Sequence, residues 1–242
     1  MSDELLVRQD GPILRLTINR PDHGNAASDA MAEELTGILN KAGETSRLVV
    51  LRGAGKDFCV GRASMGVRPA VDPEALVRRR QSDVIFNTYN AFRNATVPII
   101  AVVTGRAHGF GCAIAGVADI TIAAESATFQ IPEMAHRILP TMVLSALMDR
   151  VPRKELTYLV YSTAVISALR ARECGLVSEV VADGKLDEFV EALCKTILAA
   201  PNPATEGCKE FLRRAFTMDV PSAIDYARNV HATVNSSSEM RK

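Results

Sequence analysis

Residues 101–120 read AVVTGRAHGFGCAIAGVADI, and the fold class turns on this stretch. Ala101, Val102 and Val103 complete an apolar run that starts at Ile99, just after Pro98. A short continuous run without polar alternation predicts a strand covered on both faces. Gly105, Gly109 and Gly111 follow, and glycines let a chain turn where a side chain would collide. Residues 113–118, AIAGVA, are small enough to pack closely as a helix. Residues 119–123 read as a second buried strand. Strand, glycine turn, helix and strand in succession is the unit of an α/β fold.

The same alternation extends outward. Residues 5–9 and 13–19 are β-type runs with Asp10-Gly11 between them, a hairpin signal. Leu14, Leu16 and Ile18 alternate with Arg15 and Thr17, so one face is buried. Ser28 or Asp29 caps a helix carrying Met31, Leu35, Ile38 and Leu39 at helical spacing. Leu48-Val49-Val50-Leu51 is another buried strand, ended by Gly53-Ala54-Gly55. Arg78-Arg79-Arg80 opens a polar helical stretch reaching Asn94, read as a solvated face or a phosphate contact. Beyond Val181 only helices are expected, marked by Leu186, Val190, Leu193 and Ile197, then Phe211, Leu212 and Phe216, then Ile224, Ala227, Val230 and Val234. The expected organisation is a core over residues 1–185 and a helical region over 186–242. That region would pack on the core or on a partner subunit.

Lys+Arg and Asp+Glu are 28 each, so 28 − 28 leaves no net charge and no electrostatic footprint for nucleic acid or an acidic membrane. No apolar run approaches the ~20 residues that cross a bilayer. Met1-Ser2-Asp3-Glu4 lacks the basic flank and apolar stretch of a signal peptide, and a cytoplasmic protein is expected. The five cysteines are odd in number and hold no CxxC pair, which points to reduced thiols. No cluster has metal-ligand spacing, so neither a metal nor a separate cofactor is expected.

Three constellations bear on chemistry. A hydrolase elbow needs G-x-S-x-G, but two residues separate Gly61 from Ser64. The glycines at 105, 109 and 111 match neither nucleotide fingerprint, because no lysine follows. The third constellation joins two glycine-bearing turns, 58–62 and 105–111, each after a buried strand. The second opens a helix, whose first N–H groups lack internal partners. Two such amides aimed at one oxygen make an oxyanion hole. Soon after, Phe129-Gln130-Ile131-Pro132-Glu133-Met134 sets a carboxylate among apolar residues, where a raised pKa suits proton transfer near neutral pH. Taken alone, each turn is only a turn, and Glu133 is a carboxylate complementing a helix dipole. Order and spacing lift the functional reading.

Four segments then resemble the enoyl-CoA hydratase/isomerase, or crotonase, family. Residues 19–26 (NRPDHGNA) look like its NRPxxxNA stretch, and 53–61 (GAGKDFCVG) like its GxGxxFxxG stretch. Residues 101–120 resemble AVxxGxAxGxGxxxAxxxDI, and 129–133 match F-x-x-P-E. The resemblance implies an α/β crotonase-like ββα spiral core with a C-terminal helical region, assembled as a homotrimer or a dimer of trimers. It implies an acyl-CoA substrate, as in fatty acid metabolism, with coenzyme A part of that substrate. The backbone N–H groups of Arg62 and Phe110 would form the oxyanion hole and Glu133 would be the catalytic base. His23, Asn25, Ala26, Val60, Ser64 and Gly109 would contact the CoA ester. Hydratases of the family hold water with two glutamates. Here Ala113 stands at the first position, and Ala63 replaces a customary Asp. A single glutamate resembles the family's double-bond isomerases. The competing expectations are an enoyl-CoA hydratase, a lyase, with an atypical site, and a non-catalytic acyl-CoA-binding protein. His108 and His136 are the nearest further titratable groups, without an assigned role.

Overall fold

Apolar strands with no polar face must be sandwiched, and that requirement builds the centre of the molecule. A computed structural model of the chain describes residues 3–64 and 74–241. Its elements run β1 (Leu5–Asp10), β2 (Ile13–Ile18), α1 (Asp29–Thr45), β3 (Leu48–Gly53), α2 (Ala75–Asn94), β4 (Ile99–Val103), β5 (Arg106–His108) and α3 (Phe110–Val117). They continue with β6 (Ile120–Ala124), β7 (Thr128–Gln130), α4 (Thr141–Leu147), α5 (Arg153–Ser162), β8 (Ile166–Ser167), α6 (Ala168–Glu173) and β9 (Glu179–Val181). Three helices finish the described chain: α7 (Leu186–Ala199), α8 (Asn202–Ala215) and α9 (Val220–Ser236).

The main sheet has the order β1-β2-β3-β4-β6-β9. Only β1 is antiparallel to its neighbour; the other pairs are parallel. Leu51 sits opposite Ala101, and Ala101 opposite Thr121. Every residue of β4 is buried. A smaller sheet, β5-β7-β8, stands apart. The Ser28 hydroxyl accepts from the Met31 N–H at 3.1 Å and so starts α1, whose buried face is Met31, Leu35, Leu39 and Ala42. Arg78, Arg79 and Arg80 are exposed on α2, the solvated face read from the sequence.

The glycine stretch differs from its expected form. It carries β5, and α3 starts at Phe110 rather than at 113. A three-residue strand is too short to show a period, and Arg106 and His108 are polar. β5 exists because Ala107 and His108 pair in register with Phe129 and Gln130 of β7.

In the C-terminal region, α7 lays Leu186, Val190 and Cys194 onto the core, and Arg15 of β2 holds Glu191 at 2.7 and 3.0 Å. The helices α8 and α9 pack on each other. Lys209 of α8 is buried, with Nζ 2.6 Å from Asp119 Oδ2 and 3.3 Å from the Phe92 carbonyl. The same Asp119 oxygen accepts from the Ile99 N–H at 2.7 Å. Among the described residues, no helix is long and apolar enough to cross a membrane.

Gly111 marks the tightest approach between the two glycine turns. A Cβ there would lie 2.0 Å from the Cys59 carbonyl oxygen, which is backbone and cannot swing aside. We expect Gly111→Ala to lower stability by about 1–3 kcal/mol or more, read as a fall in the urea midpoint at constant m-value. An unchanged midpoint would show that the turns can separate freely.

Candidate active site

The two turns are stitched together through their backbones. Phe58 N–H donates to the Thr104 carbonyl at 2.9 Å, Cys59 N–H to Arg106 at 3.0 Å, and His108 N–H to Cys59 at 2.9 Å. Asp57 reinforces this clasp. Its Oδ1 accepts from the Arg106 N–H at 3.0 Å and from Nε at 2.9 Å, and Oδ2 from Nη2 at 2.7 Å. The Arg106 guanidinium holds the Asp57 carboxyl below the usual range, against burial, which acts to raise it. A third segment joins from the front. Val60 N–H donates to the Gly24 carbonyl at 3.0 Å, and Ala27 N–H to Gly61 at 2.8 Å. Residues 23–27, 57–62 and 104–109 therefore form one unit.

Two backbone donors emerge from this unit without a partner among the described residues. Around Arg62, the bonds of its short bridge to Ala27 use the Gly61 carbonyl and the Ala63 N–H, leaving the Arg62 N–H free. Phe110 is the first residue of α3, so its N–H has no intrahelical acceptor. Gly109 before it has φ 52° and ψ −115°, a backbone conformation suited to glycine, and its own N–H is spent on the Gln130 carbonyl at 2.9 Å.

Both residues line a cavity of about 150 Å³. Glu133, Ser64 and Tyr89 share it with the apolar side of α4 and the segment before it, including Ile138, Leu139 and Met142. Glu133 comes from the 3-10 turn Glu133–His136 that follows β7 and Pro132. Its residue is only 7% exposed, and Oε2 is buried without a hydrogen-bond partner among the described residues. Burial pushes this carboxyl above its ordinary value. A largely desolvated carboxyl on a residue that lines a cavity can exchange a proton with a guest.

The other expected site residues have different fates. The Arg62 side chain is bound to Asp29 at 2.6 Å, at the start of α1. His23 is exposed in the turn Pro21–His23, and Ala26 and Val60 are half-buried beside it. Asn25 is fully buried. Its amide donates to the carbonyls of Ala54 at 2.8 Å and Asp57 at 2.5 Å, and its Oδ1 accepts from the Arg20 N–H at 2.8 Å. That side chain is therefore committed to the backbone, and Asn25 sits at φ 58°, a region asparagine tolerates. Ala113 is buried in α3 and brings no polar atom.

His136 points to solvent on the turn whose first residue, Glu133, is buried, so the two do not share an environment. His108 is half-buried with an unpartnered Nε2, and burial lowers its pKa, with Arg106 adding to the effect. It does not line the cavity. Burial pushes the Cys59 thiol up to about 12, so it is no nucleophile near neutral pH.

Sequence reasoning passed over Tyr89. It stacks on Phe110 with ring centroids 5.9 Å apart. The signal was present: Ile85, Tyr89 and Phe92 recur at helical spacing on the buried face of α2.

With this geometry in place, likeness to known proteins becomes specific. The family model described as enoyl-CoA hydratase/isomerase matches residues 8–242. A probable enoyl-CoA hydratase of Rhizobium meliloti (strain 1021) is 29% identical, over 99% of this chain and 93% of its own length. The 1,2-epoxyphenylacetyl-CoA isomerase of Escherichia coli (strain K12) is 27% identical, over 100% of this chain and 94% of its own. The crystal structure of a putative enoyl-CoA hydratase from Thermobifida fusca YX in complex with acetoacetyl-CoA aligns with TM-score 0.84 and 29% identity, covering 95% of this chain and 94% of that one. The chain belongs to the enoyl-CoA hydratase/isomerase family and has the crotonase fold.

Two outcomes follow from these placements. Asn25→Ala removes three bonds to buried backbone groups and should destabilise by roughly 1–3 kcal/mol in urea unfolding. A near-zero loss would mean that those groups find other partners. For Glu133, burial raises the folded-state pKa above the unfolded one. The protonated form is favoured in the fold, so wild type loses stability as pH rises through the carboxylate range. Glu133→Gln should therefore be the more stable protein at neutral pH, and the gap should close in acid. A gap independent of pH would contradict that ionisation.

Proposed function

We propose that this enzyme moves a proton within an acyl-CoA thioester through an oxyanion-stabilised enolate, as a double-bond isomerase. The observation that carries the reading is the buried Glu133 carboxyl, whose Oε2 has no partner among the described residues, lining the same cavity as Arg62 and Phe110, whose N–H groups bond to no described residue. The Arg62 and Phe110 N–H groups would hold the thioester oxygen. Fixed donors at an oxyanion strengthen as charge develops there, and one is worth about 10²–10³ in rate. Glu133 would take a proton from one carbon and return it to another, a step that needs one base and no held water. Ala113 disfavours hydration, because an alanine on α3 cannot orient water where a second carboxylate would.

His23, Ala26, Val60, Ser64 and Gly109 are the proposed contacts of the CoA ester, with Asn25 shaping their backbone. No cofactor beyond the substrate's own coenzyme A enters this scheme. Exposed Leu212, Phe216, Val220 and Ile224 on and between α8 and α9 support self-association as a trimer or a dimer of trimers.

The test is turnover of enoyl-CoA esters, with the double bond at the second or third carbon, in oxygen-labelled water. Double-bond migration without label uptake is expected. Glu133→Gln should cost about 10²–10⁴ in kcat. Because burial raises the Glu133 pKa, kcat/KM should climb with pH, with a midpoint above the usual glutamate range. A labelled hydroxyacyl product would establish a hydratase instead. Tight ester binding with no turnover would leave an acyl-CoA-binding protein.

A further inference from the structure

The cavity holds more polar chemistry than proton transfer uses. Tyr89 lines the cavity, and no hydrogen bond joins its hydroxyl to any described residue. The Nε of Arg62 is buried and likewise without a partner, although the far end of that guanidinium holds Asp29. Arg62 and Glu133 line the same cavity but form no ion pair with each other. Tyr89, Arg62 and Glu133 thus line a space whose remaining walls include Ile138, Leu139, Pro140, Met142 and Val143.

A buried donor without a partner is costly, and folds retain few of them unless a guest completes the bond. A plain hydrocarbon chain in this cavity would leave the Tyr89 hydroxyl dry and unpaired. An oxygen on the chain would satisfy it. The charge balance selects the kind of oxygen. Arg62 is already neutralised by Asp29, and a carboxylate would face Glu133. A keto or hydroxyl oxygen meets neither obstacle. Burial raises the Tyr89 pKa, with Glu133 adding to the effect, so the phenol stays protonated and remains a donor. Its ring is held against Phe110, the residue whose N–H is a proposed thioester contact, so the hydroxyl is anchored on a rigid support.

We propose that Tyr89 is a specificity-determining residue, whose hydroxyl donates to a keto or hydroxyl oxygen on the acyl chain. The substrate class is an oxygen-bearing acyl-CoA rather than a plain aliphatic one. The inference deepens the acyl-CoA reading and rests on the acyl chain occupying this cavity.

Binding tests it without requiring turnover. Calorimetry would compare a saturated six-carbon acyl-CoA with esters of equal length carrying a keto or hydroxyl oxygen at successive positions. Wild type should bind at least one oxygenated ester about tenfold or more tightly than the plain ester. Tyr89→Phe keeps the ring stack and should erase most of that preference, while changing affinity for the plain ester little. Equal affinity of wild type for all the esters overturns the proposal and leaves the acyl-CoA reading standing, and that result needs no folded variant. A preference that survives in Tyr89→Phe also overturns it. If no ester binds, the proposal falls together with the acyl-CoA reading. A preference lost in Tyr89→Phe but kept in Glu133→Gln separates chain recognition from proton transfer and supports it.

Discussion

The backbone clasp between Cys59 and Ala107 is the constraint on which the site depends. A pair of strand-like bonds through Cys59 holds two loops that follow different strands, β3 and β4. Each loop presents one unbonded N–H, at Arg62 and at Phe110. Neither loop alone could aim a donor, because loops carry few restraints of their own. Asp57 and Asn25 make the clasp rigid from beneath by bonding only to backbone groups and to the Arg106 guanidinium. The placement of these two donors is thus inherited from the parallel sheet, through a chain of main-chain hydrogen bonds that side-chain change does not remove.

The cavity sets a second condition. Glu133 keeps its carboxyl buried, and a buried carboxyl costs stability. The molecule accepts that cost beside Pro132, on a short turn braced by β7 and facing the apolar side of α4. The Nε of Arg62 carries a similar cost. Two unsatisfied groups on residues around one small space are a local concentration of unfavourable desolvation, and such concentrations gather where a ligand is to be bound.

Much of this was legible in the sequence, for local reasons. The buried strands β3, β4 and β6 show as unbroken apolar runs. Ser28 marks the start of α1, and the glycines of the two turns fall where the backbone must bend. Glu133 stands out through its apolar, proline-bounded setting. What stayed hidden depends on distant parts of the chain. The strands β5, β7 and β8 are too short for a period and exist through pairing with one another. Asn25 reads as a polar surface residue until the Asp57 and Ala54 carbonyls converge on it. Tyr89 lies in a stretch that is polar on average, and its burial comes from the packing of α2 against α3. A pattern can give the face of a helix but not what that face meets.

Lys209 gives the helical tail an unexpected reach. Its ammonium grips Asp119, and the same carboxylate oxygen caps the first N–H of β4, the strand that leads into the second donor loop. A subunit that swung this tail outward would strand a negative charge at the foot of that strand. The helical tail and the inner sheet are therefore joined through one shared oxygen, so a shift of α8 would change the support of a strand end to which it does not belong.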